Sequence, residues 1–159
     1  MKALVVYDSF FGNTEQIAHA IGDALAARAD VQTLRVKDVK PEHLDRLNLL
    51  VVGSPTRAFR ASPDTKAWLK KLVGASLRGV RVTAFDTRVD VKEVDSRILP
   101  VFVKVFGYAA EPIAAALVKK GGEQLVAPEG FFVLDTEGPL KEGELERAAA
   151  WALQLATQA

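Results

Sequence analysis

Two runs of continuously apolar, β-branched residues, at 2–7 and 47–53, do most to limit what this chain can fold into. A run without polar alternation suits a strand buried on both faces, and such strands belong to parallel sheets covered by helices on each side. The segment 31–36 instead alternates apolar with polar residues, as a half-exposed outer strand does. Between the first two strands Ile17, Ile21 and Leu25 recur at four-residue spacing beside Ala18 and Gly22, a helical stripe with small residues for close packing. Residues 64–73 carry Trp68, Leu69, Leu72 and Val73 at helical spacing behind a Ser-Pro-Asp start signal, and Gly79 introduces a strand at 80–86. Residues 96–120 are expected to form one long helix, weakened at Pro100, Gly107 and Pro112 and stopped by Lys119-Lys120-Gly121-Gly122. A fifth strand comes in two pieces, 125–127 and 131–134, interrupted at Pro128-Glu129-Gly130. A last helix at 143–157 sets Leu145, Ala148, Ala149, Ala152 and Ala156 on one face. Strands alternating with helices in this way predict one α/β domain over 1–159, a doubly wound parallel sheet of five strands with helices on both faces.

Composition narrows the chemistry. At 159 residues the chain is long enough to bury a core without disulfides or a structural metal. The absence of cysteine excludes disulfides, thiolate-held iron–sulfur clusters and a cysteine nucleophile, and with only His19 and His43 a metal site is not expected. A net charge of +1 with 26% charged residues argues for neither nucleic-acid nor membrane binding by the chain as a whole. No apolar run approaches a membrane span and the first strand lacks the pattern of a signal peptide, so a cytoplasmic location is expected.

In an open parallel sheet the ligand site lies past the carboxyl ends of the strands, where the strand order reverses. Three segments meet there. The first, Asp8-Ser9-Phe10-Phe11-Gly12-Asn13-Thr14, joins a strand to a helix; its amides and the helix N-terminus favour an anion, with Ser9, Asn13 and Thr14 as side-chain donors and Gly12 allowing close backbone approach. The competing reading makes Asn13 a helix cap, with Gln16 completing a capping box. The second, Gly53-Ser54-Pro55-Thr56-Arg57-Ala58-Phe59-Arg60, sets Phe59 beside two arginines, either over a flat ring or tucked beneath the loop. The third, Phe85-Asp86-Thr87-Arg88-Val89-Asp90, brings amides, Thr87 and Arg88 to the same edge as a loop after the fourth strand.

Together these segments resemble the flavodoxin family over nearly the whole chain. In that family a loop of pattern (Thr or Ser)-x-Thr-Gly-x-Thr wraps the phosphate of flavin mononucleotide (FMN). Ser9, Gly12 and Thr14 hold three of its four defining positions, while Phe11 replaces the inner hydroxyl. The form Tyr7-Asp8-Ser9-x-x-Gly12-Asn13-Thr14 is similar to a variant seen in some flavodoxin-like domains. The resemblance implies the strand order 2-1-3-4-5 and FMN as cofactor. It implies that Ser9, Phe10, Phe11, Gly12, Asn13 and Thr14 lie at the phosphate, Ser54, Pro55, Thr56, Arg57 and Phe59 against the ring, and Asp86, Thr87 and Arg88 on the other side. Two departures stand out. No aromatic lies between Thr87 and Arg97, where many flavodoxins stack one on the flavin, and Arg57, Arg60 and Arg88 replace the family's acidic character.

No side chain here carries electrons reversibly, so redox activity must come from a bound cofactor. The resemblance implies an electron carrier between a reductase and an acceptor protein, which needs no dedicated acid–base cluster and therefore no catalytic residue. Two alternatives stay open: an FMN-dependent oxidoreductase acting on a quinone or similar small molecule, and a flavin-free regulatory or binding domain of the same shape. A cation near the ring favours its reduced, more negative form, so removal of Arg88 is expected to lower the midpoint potential. The phosphate-accepting receiver domains need an acid where Gly53-Ser54 stands, and neither the dinucleotide nor the nucleoside-triphosphate glycine motif follows the first strand. The loop 135–143 lies on the same edge as the site, and its role is left open by the sequence.

Overall fold

A computed structural model of the chain describes residues 1–90 and 107–159. Strand β1 (Lys2–Tyr7) leads into helix α1 (Asn13–Leu25), and β2 (Asp30–Arg35) is followed by two single-turn 3₁₀ segments before β3 (Leu49–Pro55). Then come α2 (Pro63–Lys71), β4 (Arg81–Val89), α3 (Ala110–Lys119), β5 (Glu123–Gln124), β6 (Glu129–Val133) and α4 (Glu144–Gln158). The strands are parallel in the order β2-β1-β3-β4-β5, with β6 continuing along β4 beyond β5. This is the doubly wound sheet expected, with β1 and β3 inside and the alternating β2 at the edge.

Burial follows the sequence pattern. Val5 and Val6 of β1 and Val51 and Val52 of β3 are fully enclosed, because each strand has helices over both faces. Ala3, Val5, Leu49 and Val51 face α1 and α4, while Leu4, Val6, Leu50 and Val52 face α2 and α3. Ile17, Ile21 and Leu25 of α1 are buried, and Gly22 permits the helix to press on β2: a Cβ there would stand 2.1 Å from Thr33 Oγ1. Helix α2 starts as its sequence predicts, with Ser62 Oγ accepting the Thr65 amide at 3.2 Å and proline at the first helical position.

Four expectations are corrected. The buried face of α4 is Ala148, Trp151, Ala152 and Leu155, rotated from the stripe read in the sequence, and Leu145 is exposed. Trp151 sets this rotation by packing edge-on against Phe85 and Phe131, with ring centroids 6.5 and 6.0 Å away. The fifth strand is interrupted, but its pieces fall at 123–124 and 129–133, so Glu129 and Gly130 pair with β4 instead of breaking the ladder. The helix expected over 96–120 begins only at Ala110 in the described part; Gly107 has a φ of 70°, outside helical geometry, and Pro112 sits harmlessly in the first turn. The part of that expectation on 96–106 lies outside the described residues. Finally, β4 runs on to Val89, so Asp86, Thr87 and Arg88 are strand residues and not a loop.

Candidate functional site

The carboxyl ends of β1, β3 and β4 open into a cavity of about 600 Å³. The first wall grows from the turn after β1. Asp8 accepts the Ser9 amide at 2.9 Å, and Ser9 Oγ accepts the Gly12 amide at 3.0 Å, folding residues 8–12 into a compact turn. Gly12, with a φ of 91° and open space where a Cβ would stand, swings the chain into α1. The first amides of α1 have no acceptor within the helix, and Asn13 and Thr14 carry them to the cavity. Asn13 does not cap the helix as the competing reading had it: Gly12 holds the cap position, and the Asn13 amide donates to the Glu137 carbonyl at 3.0 Å. That bond fixes the loop after β6 beside the first turn, and Asp135 and Thr136 of that loop line the cavity.

Arg35, at the end of β2, braces this turn from outside. One guanidinium nitrogen donates to the Ser9 carbonyl at 2.8 Å and another to Glu15 at 2.9 Å, with the group 5.3 Å above the Tyr7 ring. Tyr7 donates in turn to Glu15 at 3.1 Å; burial, and then the adjoining Glu15 carboxylate, push its phenol above the ordinary value.

The second wall follows β3. Ser54 is fully buried, donating to the Pro55 carbonyl and accepting the Ser62 amide at 2.9 Å, so it shapes the loop and does not reach the cavity. Arg57 and Arg60 exchange two backbone hydrogen bonds of 2.9 Å, closing a turn whose tip is Ala58 and Phe59. Both tip residues have positive φ, 46° and 65°, a conformation that side chains disfavour. Phe59 lines the cavity on one side and the neighbouring groove on the other. Arg57 lies 4.7 Å from the ring of Phe10 and 5.9 Å from that of Phe11, and these two exposed aromatics form the mouth.

The third wall is the end of β4. The hydroxyls of Thr87 and Thr14 share a hydrogen bond of 2.7 Å. Asp86 does not line the cavity and is wholly enclosed; its carboxylate takes Arg88 at 2.6 and 2.8 Å and the Ala110 amide at 2.8 Å. Burial pushes this carboxyl above the usual range, opposed first by its bonds to Arg88. Arg88 is therefore not the uncommitted cation the sequence implies, because Asp86 neutralises it at the site. Its guanidinium lies 3.6 Å from the centre of the Tyr108 ring, and Tyr108 lines the cavity. Sequence reasoning missed Tyr108 because 96–120 was expected to be helical; the glycine before it was the available signal.

Of the residues singled out in the sequence, Ser9, Phe10, Phe11, Asn13, Thr14, Pro55, Thr56, Arg57, Phe59, Thr87 and Arg88 line the cavity. Gly12, Ser54 and Asp86 stand behind it as supports.

This arrangement belongs to a nucleotide-binding α/β protein, and comparison with known proteins gives the family. The flavodoxin family model matches residues 5–151. Flavodoxin 1 from Bacillus cereus superposes with a TM-score of 0.76 at 12% identity, over 100% of this chain and 99% of that one. Flavodoxin 2 from the same organism gives 0.73 at 21% identity over 100% of both. A curated relative, NAD(P)H dehydrogenase (quinone) of Cupriavidus metallidurans, is 32% identical over 100 residues, 50% of each chain. The chain thus spans about half the length of that relative. The chain belongs to the flavodoxin family, whose cofactor is FMN.

The residues present fit that group. A helix N-terminus and the Ser9 hydroxyl suit a phosphate, and the aromatic walls suit a flat ring; the volume lies within the usual range for cofactor pockets of about 300–1,000 Å³.

Proposed function

We propose that this chain is an FMN-carrying electron-transfer protein working between a reductase and an acceptor. The observation that carries the reading is the cavity at the carboxyl edge, where the first turn of α1 faces a space walled by Phe59 and Tyr108. The amides of Asn13 and Thr14, with the Ser9 hydroxyl, would hold the phosphate, and Pro55, Thr56, Phe59 and Tyr108 would bound the ring. Bound FMN supplies one- and two-electron redox chemistry that no side chain here possesses. The protein's own part is to orient the ring, exclude water from its inner face and set the charge at its edge.

The absorbance spectrum after incubation with FMN and removal of the excess tests this. Retained, fluorescence-quenched flavin is expected; no retention at micromolar protein overturns the reading and leaves a flavin-free binding domain. A second reading, oxidation of NAD(P)H with reduction of a quinone, is favoured by the named activity of the Cupriavidus relative and by the exposed Phe10–Phe11 mouth beside Arg57. Quinone-dependent consumption of NAD(P)H by the pure holoprotein distinguishes it from a carrier, which turns over only with a separate reductase.

A further inference from the structure

On the sheet face covered by α2 and α3, the two helices leave a groove of about 870 Å³ between them. Its floor is apolar, made by Leu69 of α2 with Ile113 and Ala116 of α3. Around it stand five cations, Arg60, Lys66, Lys70, Lys119 and Lys120, and no carboxylate lines it among the described residues. No ion pair engages any of the five side chains among the described residues. Such a concentration of one sign is set apart from the near-neutral balance of the whole chain, +1 over 159 residues. The groove also adjoins the cavity described above, with the Ala58–Phe59 turn lining both.

We propose that this groove is the docking site for an acidic redox partner, which inserts apolar side chains between α2 and α3 and sets carboxylates against the lysine rim. The inference rests on the electron-transfer reading. Charge complementarity selects the sign of the partner, since a focused basic rim speeds encounter with an acidic surface and repels a basic one. The apolar floor selects its class: a phosphate polymer gains little from Leu69 and Ile113, whereas a protein interface has an apolar core within a polar rim. The shared Ala58–Phe59 turn sets such a partner against the wall of the flavin cavity, and Phe10 and Phe11 of the mouth do not line the groove.

The test uses the purified ¹⁵N-labelled protein with FMN present, titrated at low salt with oxidised plant-type [2Fe–2S] ferredoxin, an acidic redox protein, as the probe. Amide signals of 58–70 and 112–120 are expected to shift or broaden. The variant Lys66→Glu/Lys70→Glu/Lys119→Glu should bind at least tenfold more weakly while keeping the FMN content and midpoint potential of the parent. Physiological salt should weaken the parent's binding by a similar factor. Perturbations confined to the Phe10–Phe11 mouth, or equal affinity in the charge-reversed variant, overturn the proposal, as does tighter binding of a DNA duplex of matched concentration at the same salt. Absence of retained flavin, with the shifts still centred on the groove, would instead refute the electron-carrier reading alone.

Discussion

The hydroxyls of Thr14 and Thr87, 73 residues apart, meet at 2.7 Å and tie the first turn of α1 to the end of β4. Both residues are buried, 1% and 5% exposed, on the wall of the cavity. Thr87→Val, nearly isosteric, removes one partner and strands the other, at a cost of about 1–3 kcal/mol. Urea unfolding of the apoprotein should show a lowered midpoint with an unchanged slope. An unaltered midpoint would mean that the bond contributes no net stability.

Arg35 acts on the same turn from the opposite side, through the Ser9 carbonyl. Arg35→Met keeps the apolar stem over Tyr7 and deletes the donors. Because the bond braces the turn proposed to hold the phosphate, FMN should bind roughly tenfold more weakly, the equivalent of about 1.4 kcal/mol, while riboflavin, which has no phosphate, should bind as before. Equal weakening of both ligands would place the effect on the fold and not on the turn.

The legibility of the chain follows from where its information is local. Strands β1 and β3 were plain in the sequence because burial on both faces demands unbroken apolar runs. The extension of β4 was hidden because Asp86-Thr87-Arg88 has the polarity of a loop. It stays in the sheet because Asp86 and Arg88 neutralise each other and Thr87 finds Thr14. The turn after β1 that lines the cavity was legible from Ser9, Gly12 and Thr14, but its brace was not: Arg35 stands 26 residues from Ser9 on an edge strand. Tyr108 was lost to an overlong helix, and Trp151 to a stripe counted through alanines.

Glu144 gives the stability a definite pH response. Its carboxylate accepts the Phe132 amide at 2.7 Å and Arg147 at 2.6 and 2.9 Å, joining α4 to β6. Burial alone would raise this carboxyl, but the bonds to Arg147 and to the Phe132 amide outweigh it and hold it below the ordinary 4.5. The folded protein therefore binds this proton more weakly than the unfolded chain does. The stabilisation is present above the ordinary value and is lost as pH falls through the depressed one. Glu144→Gln should flatten the acid limb of a stability–pH curve below about 4.5. A variant with the same acid slope as the parent would assign that slope to other carboxylates.

The two arginines at the cavity predict opposite phenotypes, although the sequence presents them alike. Arg88 is committed to the wholly buried Asp86, so Arg88→Gln leaves an unpaired charge in the interior and should cost about 3–5 kcal/mol, seen as lost stability. Arg57 is exposed, rests on Phe10, and has no ion pair among the described residues, so in the proposed site its charge would be available to the ring. Reduction adds negative charge to the ring, and a nearby cation favours that state. Arg57→Gln should therefore lower the midpoint potential of bound FMN while leaving thermal stability within about 0.5 kcal/mol of the parent. Added salt should shrink the potential difference between parent and variant, since an exposed charge is screened over about 8–10 Å at moderate ionic strength. A potential that moves with Arg88 and not with Arg57 would show that the Asp86 pair leaves enough field at the ring to set it.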